Sequence, residues 1–212
     1  MSEKNKLEYI AIEGVIGVGK TTLTTKLVEH FKGRGVYEEV EENPFLADFY
    51  KDPKRYAFQV QMFFLLSRYR QQQDIPQREL FFNMMVADYI FAKDKIFAYL
   101  NLDERELFLY EKIISLMERD VPKPDLVIYL KSTPERLMEN IKKRDRPFER
   151  EMREDYIEEL NRVYNKFFSH YKDTPLLIIN STKMDFVNKT EDFNTILDLI
   201  LKKNDGIYEY HS

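Results

Sequence analysis

Short apolar runs and longer stretches of helical spacing take turns along this chain. The first run, Tyr9-Ile10-Ala11-Ile12, leads into a glycine-rich turn, and a helical pattern follows over residues 22–31. A buried strand feeding a turn and then a helix opens an α/β unit. Gly33-Arg34-Gly35 stops that helix, and residues 36–40 read as a second short strand. From Pro53 to Gln73, Val60, Phe63, Phe64 and Leu66 recur at helical spacing with no breaker between them. Residues 81–86 form a strand-like run that closes near Asp88, and residues 89–100 and 105–119 read as helices. After the turn Pro122-Lys123-Pro124-Asp125 comes a strong strand over 126–130. Ser132-Thr133-Pro134-Glu135 starts the next helix, with a capping hydroxyl and proline in the first turn. Residues 156–171 form a long helix, 176–179 the last strand and 193–202 the last helix. The reading is an α/β fold with five parallel strands and helices on both faces, in which ligands bind beyond the carboxyl ends of the strands.

Composition narrows this picture. The 212 residues suit one domain over 1–212. Acidic residues outnumber basic ones by 37 to 33, a net charge of −4, which argues against nucleic acid as a partner. With no cysteine there is no disulfide, thiolate metal site or cysteine nucleophile. No apolar run approaches the ~18–20 residues of a membrane span, and the polar start at residues 1–6 is no signal peptide. The expected setting is therefore cytoplasmic, with no membrane partner.

Three of the six glycines fall within one short segment, Gly14-Val15-Ile16-Gly17-Val18-Gly19-Lys20-Thr21, which matches G-x-x-x-x-G-K-[ST] between a strand and a helix. Glycines let backbone N–H groups turn inward around phosphate oxygens, and the helix N-terminus adds partial positive charge. Lys20 is placed to reach the β- and γ-phosphates, Thr21 to ligate Mg²⁺, and Thr22 to complete the loop's contacts with ATP. A chance glycine turn is the lesser reading. A second cluster lies over residues 142–153, with six basic and three acidic side chains. Charge runs of this kind are usually solvated helix faces. Beside a phosphate loop, Arg144 and Arg146 followed by Pro147 read instead as an arginine-bearing lid.

Taken together, these motifs resemble the deoxynucleoside kinase family, a P-loop kinase fold that phosphorylates the 5′-hydroxyl of deoxynucleosides. Besides the phosphate loop, the resemblance rests on Tyr37-Glu38-Glu39-Val40-Glu41-Glu42-Asn43-Pro44-Phe45 with Phe49-Tyr50-Lys51-Asp52-Pro53. It rests also on Phe58-Gln59-Val60-Gln61 continuing to Ser67-Arg68, on Ala87-Asp88-Tyr89 to Lys93-Asp94, and on Arg144-Asp145-Arg146-Pro147-Phe148-Glu149. The Asn-Pro-Phe, Ala-Asp-Tyr and Arg-Pro-Phe-Glu elements look most like the bacterial purine branch, especially deoxyguanosine kinases.

What the resemblance implies is specific. By residue type alone, Glu38, Glu39, Glu41 and Glu42 are equivalent; the family pattern selects Glu38 as general base. Gln61 takes the place of the glutamine that hydrogen-bonds the base, with Gln59 as the alternative. Arg68 with Asp94 shapes the base pocket, against a plain surface pairing of Asp94 with Lys93 or Lys95. Tyr50 and Glu149 hold the sugar 3′-hydroxyl and crowd C2′. Asp88 serves as a metal or metal-supporting ligand beside Thr21. Lys20, Arg144 and Arg146 stabilise the transferred charge. Phe63, Phe64, Phe81, Phe82 and Phe91 are candidates to stack on the base, each more ordinarily core. One position departs from the family: Tyr89 stands where many members carry arginine after the acid. Residues around 181–186 and the choice between guanine and adenine stay open. A homodimer through the helices at 89–100 and 105–119, and feedback by a triphosphate end product, are further implications. The rival readings are a nucleoside monophosphate kinase such as a thymidylate kinase, and a nucleotide-binding subunit without catalysis.

Overall fold

The computed structural model describes residues 7–75, 83–202 and 206–211. Its centre is a sheet of six strands in the order β2-β3-β1-β4-β5-β6, every neighbouring pair parallel. The strands are β1 (Tyr9–Gly14), β2 (Arg34–Val36), β3 (Met85–Ala87), β4 (Leu126–Lys131), β5 (Leu176–Asn180) and β6 (Ile207–His211). β1 is buried along its whole length, as a central parallel strand must be.

The described helices are α1 (Lys20–Phe31), α2 (Leu46–Lys51), α3 (Pro53–Gln73), α4 (Lys93–Asn101), α5 (Glu104–Met117), α6 (Pro134–Arg144), α7 (Glu154–Ser169) and α8 (Thr190–Leu201). Their starts are written in local chemistry. Asp103 Oδ1 accepts the N–H groups of Arg105 and Glu106, and Glu106 Oε2 accepts the N–H of Asp103, a reciprocal cap for α5. Thr133 caps α6, with Pro134 as its first residue. The main core joins the sheet to Leu23 and Leu27 of α1, Leu137 and Ile141 of α6, Leu160, Tyr164 and Phe168 of α7, and Ile196 and Ile200 of α8. A second cluster, Leu65, Phe91, Ala98, Tyr110 and Ile114, ties α3 to α4 and α5. A third, Leu46, Phe49, Ala57 and Val60, ties α2 to α3.

Several elements differ from the pattern reading. The sheet has six strands, not five. The sixth, β6, is an edge strand whose side chains are mostly exposed, and its apolar run stops after Ile207-Tyr208 at Glu209. The second strand lies at Arg34–Val36 rather than 36–40, because the chain leaves the sheet at Tyr37 to enter the site. β3 starts at Met85, and residues 81 and 82 lie outside the described residues. α4 starts at Lys93 and not at 89, since residues 88–92 form a loop anchored by the Ile90 N–H on Glu13 Oε1 at 3.0 Å.

Strand order positions the site. β2, β3 and β1 are consecutive neighbours, so their carboxyl ends bring Glu38, Asp88 and the phosphate loop side by side.

Candidate active site

The loop after β1 turns through Gly17 (φ 87°) and Gly19 (φ 101°), the latter capping α1. A Cβ on Gly17 would lie 2.6 Å from the Leu137 carbonyl oxygen, so only glycine fits. Val15 and Val18 anchor the loop in the core. Lys20 folds back over it, Nζ donating to Gly14 O at 2.8 Å and Val15 O at 3.3 Å. Burial, aided by the nearby Lys93 ammonium, pushes Lys20 down to about 8.

From this loop a continuous hydrogen-bonded chain crosses the cavity. Thr21 Oγ1 donates to Asp88 Oδ2 at 2.7 Å, and Asp88 Oδ1 accepts the Glu38 N–H at 2.8 Å. Glu38 Oε1 accepts Nε of Arg68 at 2.9 Å and a second Arg68 N–H, while Oε2 accepts Lys93 Nζ at 2.7 Å. Arg68 also donates to Asp94 Oδ2. Gln61 Nε2 ends the chain on Asp94, donating to its carbonyl oxygen at 2.8 Å and to Oδ1. Both N–H groups of the Gln61 amide are thereby committed, so Oε1 is what this side chain offers a ligand. Burial works against charge on Glu38, but Lys93 and Arg68 outweigh it and hold the carboxyl well below the usual carboxylate range. Asp88 moves the other way, raised by burial and by the Glu38 charge.

The far wall carries the remaining expected residues. Tyr50 and Glu149 line the cavity with Tyr156, whose ring meets that of Tyr50 edge-on at 6.5 Å. Glu149 is buried and bound by Arg144 through Nε at 2.7 Å and a second, shorter contact. Arg144 is thus tied to Glu149 rather than reaching freely over the phosphate loop. Arg146 faces the same cavity, 3.9 Å from Glu41 Oε1. Of the aromatic candidates Phe64 lines the cavity, its ring 4.9 Å from the Arg68 guanidinium. Phe63 packs on Phe64, Phe91 is core, and Phe81 and Phe82 lie outside the described residues. Gln59 is exposed, which leaves Gln61 as the cavity glutamine. Asp94 sits behind the wall, paired with Arg68 and not with Lys93 or Lys95. A second cleft on the other side of the phosphate loop is lined by Gly17, Gly19, Thr22, Arg136, Ser181 and Phe186.

Sequence reasoning missed Lys93, Phe97, Asn101 and Tyr156 in the cavity wall and Glu13 beneath it. Glu13 is fully buried, accepting the N–H of Gly14 and of Ile90, each at 3.0 Å. A carboxylate inside an otherwise apolar strand was the available signal. Lys93 gave none beyond its place five residues after Asp88.

Mg²⁺ takes few protein ligands and keeps substrate phosphates and waters for the rest. Thr21 Oγ1 and Asp88 Oδ2, converging at 2.7 Å beside the loop, fit that demand. Among the described residues no group of three or more His, Cys, Asp or Glu could hold a metal, and no helix is long and apolar enough to cross a membrane.

Residues 10–204 match the family model for deoxynucleoside kinase. The chain belongs to the deoxynucleoside kinase family. It is 38% identical over 197 residues to the deoxyguanosine kinase of Bacillus subtilis (strain 168), covering 91% of this chain and 95% of that one. It is also 38% identical over 186 residues to the deoxyadenosine kinase of Dictyostelium discoideum, covering 84% and 75%. The structure of deoxyadenosine kinase from M. mycoides with bound dATP superposes with a TM-score of 0.78 at 25% identity, over 92% of this chain and 99% of that one. As a kinase of this family the protein is a phosphotransferase with ATP as donor and a deoxynucleoside as substrate.

Proposed function

We propose that the protein transfers the γ-phosphoryl group of ATP to the 5′-hydroxyl of a purine deoxynucleoside. The observation that carries this is the unbroken chain Thr21–Asp88–Glu38–Arg68–Asp94–Gln61, which links a phosphate loop to a base-sized, partly apolar cavity end. The phosphates lie against Gly14–Thr21, with the nucleoside end of ATP in the second cleft beside Ser181 and Phe186. Thr21 and Asp88 would hold Mg²⁺, which screens phosphate charge when bound. The deoxynucleoside enters the first cavity, its base against Gln61 and Arg68, its sugar against Tyr50 and Glu149.

In the transfer, the 5′-oxygen bonds to the γ-phosphorus, the bond from phosphorus to the bridging oxygen breaks, and ADP leaves with that oxygen. The hydroxyl proton passes to Glu38. A carboxyl held so firmly ionised is a weak proton acceptor, which suits a loose transition state needing alignment more than early deprotonation. Lys20, Arg146 and the N–H groups of Arg144 that its clasp on Glu149 leaves over spread the charge on the moving group. The purine preference rests on the named relatives. Exposed Tyr99, Phe108, Leu109 and Leu116 on α4 and α5 support a homodimer through that face, which analytical ultracentrifugation tests.

The experiment is initial rate with ATP·Mg²⁺ against the four deoxynucleosides, their ribose counterparts and thymidylate, run beside Glu38→Gln. A purine deoxynucleoside preference that is lost with Glu38→Gln supports the reading. Turnover only with thymidylate, or full activity of Glu38→Gln, overturns it.

A further inference from the structure

Lys93 opens α4, five residues beyond Asp88, and is only 4% exposed. A lysine this deep needs a compensating charge. It finds one in Glu38 Oε2 at 2.7 Å, with its ammonium 5.7 Å from the centre of the Phe97 ring. Lys95, two residues on, is partly exposed and pairs with Glu118. The two lysines are alike in sequence and unlike in place.

The residue after Asp88 at the end of the strand is Tyr89. Its side chain is fully buried, does not line the cavity, and donates to Gln71 Oε1 at 2.7 Å. No cation comes from the strand end. One comes instead from the first turn of the following helix, where Lys93 lines the cavity.

Counting lone pairs shows what this cation does. A carboxylate has about two acceptor sites on each oxygen. Arg68 fills both sites of Glu38 Oε1, with Nε and a second N–H. Lys93 fills one site of Oε2. Among the described residues the remaining acceptor site of Glu38, the one available to a substrate hydroxyl, is the second site of Oε2, directly beside the Lys93 ammonium. Arg68 divides itself between Glu38 and Asp94, whereas Lys93 has Glu38 as its ion-pair partner among the described residues. Lys20 and Asp88 complete the charged surroundings of Glu38.

We propose that Lys93 is a positioning residue for phosphoryl transfer, fixing the Glu38 carboxylate so that Oε2 meets the acceptor hydroxyl. The inference rests on the reading of Glu38 given above.

The test is a double-mutant cycle with kcat and KM measured separately. Lys93→Met keeps the stem over Phe97 and removes the charge. It is expected to lower kcat about a hundredfold while the KM for ATP stays within about threefold of the parent. Lys93→Arg is expected to recover most of that loss. In a Glu38→Gln background, adding Lys93→Met is expected to cost less than about threefold more, because the residue acts through Glu38. Full kcat in Lys93→Met, no recovery in Lys93→Arg, or strictly multiplicative losses in the cycle would each overturn the proposal. Should Lys93→Met not fold, Lys93→Gln carries the same comparison, with a donor but no charge. Full activity of Glu38→Gln alone marks failure of the Glu38 reading. A crippled Glu38→Gln beside a healthy Lys93→Met marks failure of the Lys93 inference only.

Discussion

Asp88 ties Thr21 at the phosphate loop to the backbone of Glu38, taking the Thr21 hydroxyl on Oδ2 at 2.7 Å and the Glu38 N–H on Oδ1 at 2.8 Å. Asp88→Asn preserves the shape but removes the charge and turns the contact with Thr21 round, the amide N–H donating to the hydroxyl that the carboxylate accepted from. The expected outcome is a fall in kcat of about a hundredfold or more, read by steady-state ADP release. Wild-type turnover in this variant would show that Asp88 has no part in transfer.

Arg68 balances two carboxylates, with side-chain exposures of 4% for Arg68, 11% for Glu38 and none for Asp94. Arg68→Met leaves both acids without this partner. Breaking a buried pair in this way costs about 3–5 kcal/mol. At about 2–4 °C per kcal/mol for a chain of this size, Tm falls by roughly 6–20 °C. Thermal unfolding followed by circular dichroism checks this, and an unchanged Tm would mean that the three groups are not paired in solution.

Tyr50 and Glu149 separate the two substrates by their effects. Tyr50→Phe removes one hydroxyl from the sugar wall, so the KM for the deoxynucleoside rises about tenfold and the KM for ATP stays put. Glu149→Gln also releases Arg144 from its carboxylate clamp, so the kinetic constants for both substrates move. Equal effects from the two variants would contradict this division.

Gly17 holds φ 87° with the Leu137 carbonyl 2.6 Å from where a Cβ would sit. Gly17→Ala adds strain of about 1–3 kcal/mol and deforms the phosphate cradle. ATP should raise the Tm of the parent and leave that of the variant unmoved. An equal ATP-induced shift in both would place the nucleotide elsewhere.

The phosphate loop was legible because its glycines, lysine and threonine lie at fixed spacing between a strand and a helix, and α3 spans the residues its periodicity marks, Pro53–Gln73. β6 was not, because Glu209 cuts its apolar residues to the pair Ile207-Tyr208, too short a run to mark a strand. The beginning of α4 was misplaced because the apolar residues of the 88–92 loop are buried for a tertiary reason, the Ile90 contact with Glu13. Lys93 and Lys95 show why charged residues resist pattern reading: only the helix packed in place decides that one faces Glu38 and the other Glu118. Arg144 was expected to reach toward phosphate, and its clasp on Glu149 depends on a lid fold that spacing alone does not encode.

The relay from Gln61 to Thr21 carries a lesson for redesign. On the function proposed above, Arg68 belongs to both halves of the molecule's task, gripping Asp94 at the base end and Glu38 at the reaction end. Recognition and turnover therefore share a component. A variant selected for another base by altering Arg68 or Asp94 inherits a displaced reaction centre, and its first generation will be slow on every acceptor. Changes confined to Asn101, which lines the cavity without joining the relay, are the route by which substrate range can drift while speed is kept.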